Sequence, residues 1–176
     1  MRLARVLGLG IVLCGVSLVL AGGVGVPRKE DVPKYLKQLQ TAQKASDRAE
    51  AAKMLGKRGE VNASDVDDAI EPLKKAVAKD IDSSVRSAAA RALGDINPDA
   101  AGTVPVLIDR LKDKKEAKDV KVAVAIALGQ FGGEAKDALP LLRDFAKEFD
   151  AKKSKDGQTI MNSIKLISGA KKKKDA

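Results

Sequence analysis

The chain of 176 residues has no histidine and no tryptophan, and it has one cysteine, one tyrosine and three phenylalanines. Without an imidazole, no histidine base, proton shuttle or metal ligand is available. A single thiol excludes an intrachain disulfide framework and a cysteine-rich zinc site. Because aromatic residues make up 2% of the chain, a core of large rings and a stacking platform for single-stranded nucleic acid are excluded too.

Small aliphatic side chains and charge take the place of these residue types. Apolar residues make up 44% of the chain, mostly alanine, leucine and valine, which suffices for a core of small side chains. Lysine and arginine total 33 against 24 aspartates and glutamates, so the formal net charge is +9. The length predicts one domain or two very small ones.

The N-terminus has the pattern of a secretory signal peptide. Two arginines precede an uncharged apolar run over 6–21, and Val19-Leu20-Ala21 places small residues at the positions typical of a cleavage site. We therefore interpret 1–21 as a signal peptide and 22–30 as a linker.

An uncleaved membrane anchor over 6–26 is the alternative. The run over 6–21 is shorter than the about 20 apolar residues that a membrane span needs, but residues 22–26 carry no charge either. Both interpretations predict an exported protein, in the periplasm, in the cell envelope or secreted. Cys14 lies inside this segment, so cleavage would leave a mature chain without a thiol, which suits an oxidising compartment.

The rest of the chain repeats itself with a period of 35 to 38 residues. Three ten-residue segments align without gaps, at 47–56, 85–94 and 120–129, and each ends in Leu-Gly. Prolines recur in step with them, at spacings of 39, 33 and 35 residues: Pro33, Pro72, Pro105 and Pro140. Self-similarity at a fixed period is the sequence signature of a repeat architecture.

Each unit is predicted to be a pair of helices. The first helix of the third unit has apolar residues at the i, i+3, i+4, i+7 spacing of an amphipathic helix: Val104, Leu107, Ile108 and Leu111. The second helices are rich in alanine, which lets neighbouring helices approach closely. The glycines after Leu93 and Leu128 are expected to favour helix termination.

These patterns divide the chain into four predicted repeats and a tail. The repeats are 31–59, 64–96, 98–132 and 134–168, and the polar first repeat is expected to act as the N-terminal cap. The lysine-rich tail over 169–176 has nothing to bury and is predicted to be disordered.

The segment 85–94, the preceding Asp80-Ile81-Asp82, the Pro-Leu start at 72 and the Pro-x-Leu starts at 105 and 140 carry a family resemblance. The units resemble HEAT repeats, more closely the HEAT-like repeats of the phycobilisome-lyase type. The resemblance covers 31–168 and implies an all-α fold, a right-handed α-solenoid (α–α superhelix) of about four HEAT-like helical hairpins. It also implies a concave surface made by the second helices.

A hydrogen-bonded ladder is a further implication of the resemblance. In such repeats the arginine of Val-Arg often bonds to turn carboxylates, so Arg86 is expected to pair with Asp80 or Asp82. Lys121 replaces this arginine in the third repeat, and bidentate pairing is in doubt there.

The candidate partner-binding residues are the basic residues of the second helices: Arg48, Lys53, Arg86, Arg91 and Lys121. If these helices line the concave side, some of these side chains form an anion-binding stripe. The alternative is a solvated polar face together with the structural ladder.

Acidic residues follow Ser64, at Asp65, Asp67, Asp68 and Glu71. We interpret Ser64 as a helix cap whose neighbouring acids favour the positive end of the helix dipole, and the Asp80–Ser84 turn in the same way. Hard-cation binding is the alternative. The sequence has no phosphate loop, nucleophile elbow or EF-hand spacing, so we predict no catalytic residue, no cofactor and no metal.

Charge is distributed unevenly along the chain. The net charges of 27–60, 61–145 and 146–176 are +4, −2 and +5. A nucleic-acid cradle needs a continuous basic track, so we predict no nucleic-acid partner. The tail lysines are candidate contacts with an anionic membrane or wall surface: Lys171, Lys172, Lys173 and Lys174.

The sequence therefore predicts an exported, monomeric, non-catalytic scaffold that binds a protein partner of unknown identity through its concave face. A bilin-lyase-like enzyme or chaperone is an alternative that the resemblance alone suggests, and a bound chromophore in an absorbance scan would support it. Attachment to an anionic envelope surface through the basic tail is a second alternative.

Overall fold

The computed structural model describes residues 25–149 and 153–169, in which eight α-helices and three short 3-10 segments form and no β-strand is present. The helices are α1 (Val32–Thr41), α2 (Ala45–Val61), α3 (Ile70–Lys79), α4 (Ser83–Ile96), α5 (Ala100–Lys112), α6 (Lys118–Phe131), α7 (Leu139–Ala146) and α8 (Lys155–Ile167). The predicted all-α class is confirmed.

Consecutive helices pack as four pairs, and the pairs stack in chain order. The second helices α2, α4, α6 and α8 form one layer, each in contact with the next. The first helices α1, α3, α5 and α7 form the other layer, in which neighbours touch much less. This arrangement is an α-solenoid, as the sequence predicts.

Glycine sets the distance between the second helices. A Cβ added to Gly56 would lie 2.8 Å from Ala92 Cα, and one added to Gly94 would lie 2.8 Å from Ala127 Cα. In the same way, a Cβ on Gly129 would lie 3.1 Å from Ser163 Cα. Any side chain larger than hydrogen at these places would push the helices apart.

Gly94 and Gly129 lie near the ends of their helices, as expected, but they are not the residues at which the helices terminate. Helix α4 continues to Ile96 and α6 to Phe131, two residues beyond Gly94 and Gly129. Helix α4 ends at Asn97, which adopts the left-handed conformation, and α6 ends at Gly132, whose φ is also positive. The glycines are present because the helices touch there, not because the chain turns.

The two layers differ in how closely their neighbouring helices pack. The second helices are in close contact, whereas α1 and α3 are separated by a groove of about 870 Å³ that is lined by the last residues of α1 and by α3 along most of its length. Layers of unequal spacing curve toward the closer one. The stack is therefore expected to be concave on the side of the second helices, and their outer surface is here called the concave face.

The core lies between the two layers and repeats with the helices. Leu55, Leu93 and Leu128 are fully buried on successive second helices. Matching leucines on the first helices are fully buried too: Leu73, Leu107 and Leu142. Apart from Pro27, the apolar side chains that are buried in the described residues lie between Val32 and Ile167, so a chain beginning at Gly25 contains this whole core.

Both chain ends of the described region lie at the same edge of the stack. Residues 29–31 form a 3-10 turn before α1, and Lys29 pairs with Asp65 Oδ1 at 2.9 Å, next to the start of α3.

None of the helices in the described residues is long and apolar enough to cross a membrane. The predicted signal peptide, all but the last two residues of the predicted anchor over 6–26, and the tail lysines Lys171–Lys174 lie outside the described residues.

Candidate interaction surface

A groove of about 320 Å³ runs between α2 and α4 on the concave face. It exists because alanines, at Ala49, Ala88 and Ala92, leave space between two helices that a glycine holds close together. The remaining lining residues are polar: Ser46, Glu50, Lys53, Arg91 and Asp95.

Two of the predicted partner-binding residues lie in this groove. Lys53 is exposed and its Nζ lies 3.5 Å from Glu50 Oε2, one turn away on the same helix. Arg91 is exposed and has no ion-pair partner among residues 25–149 and 153–169. Asp95 accepts a hydrogen bond from Gln130 Nε2 at 3.0 Å, which links α4 to α6. Arg91 is therefore the groove cation with the least compensation.

Arg48 does not lie on the open surface. Its Nε and Nη2 donate to the two carboxylate oxygens of Asp80, both at 2.8 Å, and its Nη1 donates to the carbonyls of Ala42 and Gln43 at 3.0 Å. Only 12% of the side chain is exposed. This guanidinium joins the first repeat to the second and is not available to a partner.

Arg86 repeats this arrangement one repeat later. Its Nε and Nη2 donate to the carboxylate of Glu116 at 3.0 and 2.7 Å, and its Nη1 donates to the backbone carbonyl of Asp80 at 2.8 Å. Arg86 thus bonds a turn carboxylate and the backbone of Asp80, but the carboxylate is that of Glu116 in the next turn and not that of Asp80 or Asp82. Asp82 instead caps α4 by accepting from the Ser84 N–H at 2.8 Å.

The ladder ends at Lys121, because a lysine ammonium lacks the planar fork of N–H donors with which a guanidinium binds both oxygens of a carboxylate. Its Nζ lies 5.8 Å from the centroid of the Phe145 ring, and the side chain is half-buried between the third and fourth repeats. Of the five basic residues singled out from the sequence, two lie in the groove and three lie in contacts between repeats.

The ladder carboxylates stay ionised at lower pH than free carboxyl groups do, because their pKa values are lowered. Burial alone would raise the pKa of Glu116, but hydrogen bonds from Arg86 and the Ala117 N–H, together with the charges of Arg86 and Arg110, lower it overall. The hydrogen bond from Arg48 is the main cause of the lowered pKa of Asp80. Both carboxylates are thus held ionised by the preceding repeat's arginine.

A third buried carboxylate joins the first two repeats in the segment that connects α2 to α3. The Asp65 side chain is 2% exposed and binds Arg58 through Nε at 2.8 Å and through Nη2. Hydrogen bonds from Arg58 and then Lys29 lower the pKa of Asp65. The cap interpretation is wrong for Ser64, whose hydroxyl donates to Asn62 Oδ1 instead.

No group of three or more His, Cys, Asp or Glu side chains in the part of the chain that the structure describes is arranged to hold a metal ion. Asp67, Asp68 and Glu71 are exposed, and Glu71 pairs with Lys74 on its own helix.

Sequence reasoning missed Glu116 and the Asp95–Gln130 link. A signal for Glu116 was present, since Arg48 precedes Asp80 by 32 residues and Arg86 precedes Glu116 by 30. Both separations are close to one repeat period, which indicates pairing across the boundary between repeats. No comparable pattern marks Gln130.

A family model of HEAT repeats matches residues 32–117 and again residues 70–153. The chain belongs to the HEAT-repeat family. HEAT repeats commonly mediate protein–protein interactions, and members of the family are generally non-catalytic scaffolds. None of the curated proteins matches the chain.

Proposed function

We propose that this HEAT-repeat protein is an exported, non-catalytic scaffold that holds a protein partner against the concave face of α2, α4 and α6. The observation that carries the proposal is the groove between α2 and α4, with exposed Arg91 on its wall. A repeat stack presents such a face as one extended surface, and no catalytic group is needed for its use.

The groove favours a partner of particular shape and charge. Its floor is alanine, so it accepts a protruding side chain or a slim backbone segment more readily than a broad flat surface. Arg91 supplies five donors in a planar fork and matches a partner carboxylate better than a lysine would. Asp95 and Glu50 add carboxylates that fix the register of a mixed-charge segment.

A charge-reversal experiment tests the assignment of the face. The tagged protein with Lys53→Glu and Arg91→Glu is compared with Lys34→Glu and Lys37→Glu, which make the same charge change on the exposed side of α1. Capture from the protein's own cell envelope, quantified by mass spectrometry, is expected to lose about tenfold of one defined partner with the groove variant only. Equal loss with both variants would contradict the proposal.

Export is supported by the N-terminal sequence pattern and has its own test. The mass and N-terminal sequence of the protein recovered from fractionated cells are expected to show a chain that begins at Gly22 outside the cytoplasm. A full-length chain in the membrane fraction would support the anchor over 6–26. Recovery of the whole chain from the cytoplasm would contradict export in either form.

A further inference from the structure

The segments that join the first and second helix of each repeat lie along one edge of the stack, here called the turn edge. It comprises residues 41–45, 79–83, 112–118 and 146–149 with 153–155. Contacts between successive turns place them side by side. Arg48 reaches Asp80, Arg86 reaches Glu116, and Lys118 Nζ lies 3.9 Å from Glu148.

Exposed charge on the turn edge is almost all positive. Nine exposed lysines stand there against one exposed acid, Glu148, and two of the nine, Lys112 and Lys147, pair with the exposed acids Asp109 and Asp144 one turn into the adjoining helices. The lysines are Lys44, Lys79, Lys112, Lys114, Lys115, Lys118, Lys147, Lys153 and Lys155. The other acids of these segments are partly or fully buried, and two of them, Asp80 and Glu116, are neutralised by the ladder arginines.

The opposite edge, formed by the segments between repeats at 61–70, 96–100 and 131–139, has the reverse charge. The exposed charged residues of these segments are five acids and Lys136, and the N-terminal segment at the same edge adds Arg28, Lys29 and Glu30. The five acids are Asp67, Asp68, Asp99, Glu134 and Asp137. Charge summed along the sequence hides this polarity, because every repeat contributes one segment to each edge.

The kind of cation on the turn edge is informative. Its exposed cations are all lysines, whereas Arg48 and Arg86 are withdrawn into the ladder. Lysine is a compact, hydrated charge on a long flexible stem, which suits many loose phosphate contacts more than one fixed geometry. Ile81 is 93% exposed at the tip of the second turn, in the middle of this line of lysines.

We propose that the turn edge docks on the surface of an anionic phospholipid bilayer, with the lysines at the headgroups and Ile81 at the boundary with the acyl chains. Clusters of lysine are attracted to anionic lipid, and a small apolar side chain at the interface adds to that attraction. A nucleic acid fits less well, because the edge has no exposed arginine and no exposed aromatic ring.

Docking in this way leaves the concave face open. The helices run from edge to edge, so a molecule that rests on its turn edge holds the groove between α2 and α4 at the side, away from the bilayer. The acidic edge then points away from the lipid. The inference does not depend on the identity of a protein partner, and it concerns a folded edge and not the tail Lys171–Lys174.

Vesicle binding tests the proposal with a matched control. The chain from Gly25 to Ala176 is mixed with vesicles of phosphatidylcholine alone or with about 30% phosphatidylglycerol. The turn-edge variant carries Lys44→Glu, Lys79→Glu, Lys114→Glu and Lys115→Glu. The control variant carries the same charge change elsewhere, at exposed lysines of α1, α3 and the acidic edge: Lys34→Glu, Lys37→Glu, Lys75→Glu and Lys136→Glu.

The unaltered chain is expected to bind only the anionic vesicles and to be released between about 0.05 and 0.5 M salt. The turn-edge variant is expected to lose about tenfold or more in partition coefficient, and the control less than about threefold. Ile81→Ser is expected to weaken binding about twofold to fivefold at unchanged salt dependence. Removal of 170–176 is expected to leave most of the binding.

Three results would overturn the proposal: no binding to anionic vesicles, equal losses in the two charge variants, or dependence on 170–176 alone. Preference for duplex RNA over anionic vesicles, lost in the turn-edge variant, would assign the edge to nucleic acid and also overturn it.

A second measurement uses the full chain and no variant. Acetylation of lysines on vesicles, read by mass spectrometry, is expected to show protection of Lys79, Lys114 and Lys115 relative to Lys34 and Lys37, on anionic lipid only. Equal reactivity would overturn the proposal.

Discussion

The polar side chain of Thr103 is poorly suited to its buried position. It is buried on α5, and its hydroxyl has no hydrogen-bond partner among the described residues. The same place in the neighbouring repeats is occupied by alanines, Ala69 and Ala138, both fully buried. A buried hydroxyl that loses its bonds to water destabilises the folded state.

Replacing this hydroxyl by a methyl group is expected to stabilise the protein. Thr103→Val retains the branched shape and is expected to raise the free energy of unfolding by about 0.5–1 kcal/mol. Urea unfolding followed by circular dichroism measures the change. A loss of stability of similar size would show that the hydroxyl has a partner.

The ladder carboxylate Glu116 has the opposite role, since two arginines depend on it. Glu116→Gln leaves Arg86 with less charge compensation in a site that is 1% exposed at the carboxylate. We expect a loss of about 2–3 kcal/mol, less than for a fully dry pair because the guanidinium keeps some contact with water. Chemical denaturation of the two proteins side by side measures it.

Asp113→Asn is the matched control for this substitution. Its carboxylate lies in the same turn, 3.7 Å from Arg110, and is 37% exposed. Exposed pairs of this kind contribute about 0–1 kcal/mol, so the change is expected to be small. Equal losses of stability in the two variants would contradict a stabilising role for the ladder.

For single side chains, the sequence predicted which basic residues are involved in contacts better than it predicted the partner of each one. Arg48 and Lys53 are both basic residues of α2, yet one is buried in the ladder and the other lines the groove. Composition and periodicity cannot separate them, because the partner of Arg48 comes from the next repeat. Only the separation of about one period, between Arg48 and Asp80, carries that information.

The glycines of the second helices are the decisive elements of the stack. Gly94→Ala would place a methyl carbon 2.8 Å from Ala127 Cα, which is backbone and cannot move aside. We expect a net loss of about 1–3 kcal/mol from overpacking, despite the better helix propensity of alanine. The midpoint of thermal unfolding is the measurement.

Gly102→Ala is the control on a first helix. Its added methyl would meet the flexible end of Lys74 at 3.1 Å, and the residue is exposed on α5. Here the gain in helix propensity is expected to dominate, and stability is expected to rise by up to about 1 kcal/mol. A similar loss in both variants would mean that close helix contact is not the reason for the glycines.

The sequence alone predicted which segments form helices and that the helices pair, because each helix has its own apolar periodicity. The prolines and Leu-Gly pairs mark the same period twice. The purpose of the glycines was not readable, because glycine serves both helix ends and helix contacts. The distance between α4 and α6 decides between these uses, and no single helix contains that information.

For the whole molecule, the absence of histidine gives a simple pH dependence. Asp65, Asp80 and Glu116 have pKa values lowered by folding, so their contribution is complete above the pKa values of the unfolded chain and is lost as pH falls. We expect constant stability between about pH 5 and 8 and a decline below about pH 4. Denaturant titrations at a series of pH values test this. A transition near neutral pH would contradict it.

The solenoid as a whole has three chemically distinct surfaces, two edges of opposite charge and a concave face between them. The concave face is the surface on which we propose that a protein partner binds. The most direct measurement places a photo-crosslinking amino acid at single positions of the protein in its own cells. Ser46 and Arg91 sample the groove, and Lys37 and Asp109 sample the exposed side of α1 and α5. One defined partner is expected to be linked from both groove positions and from neither control. The same adducts from all four positions, or adducts from the controls alone, would contradict it.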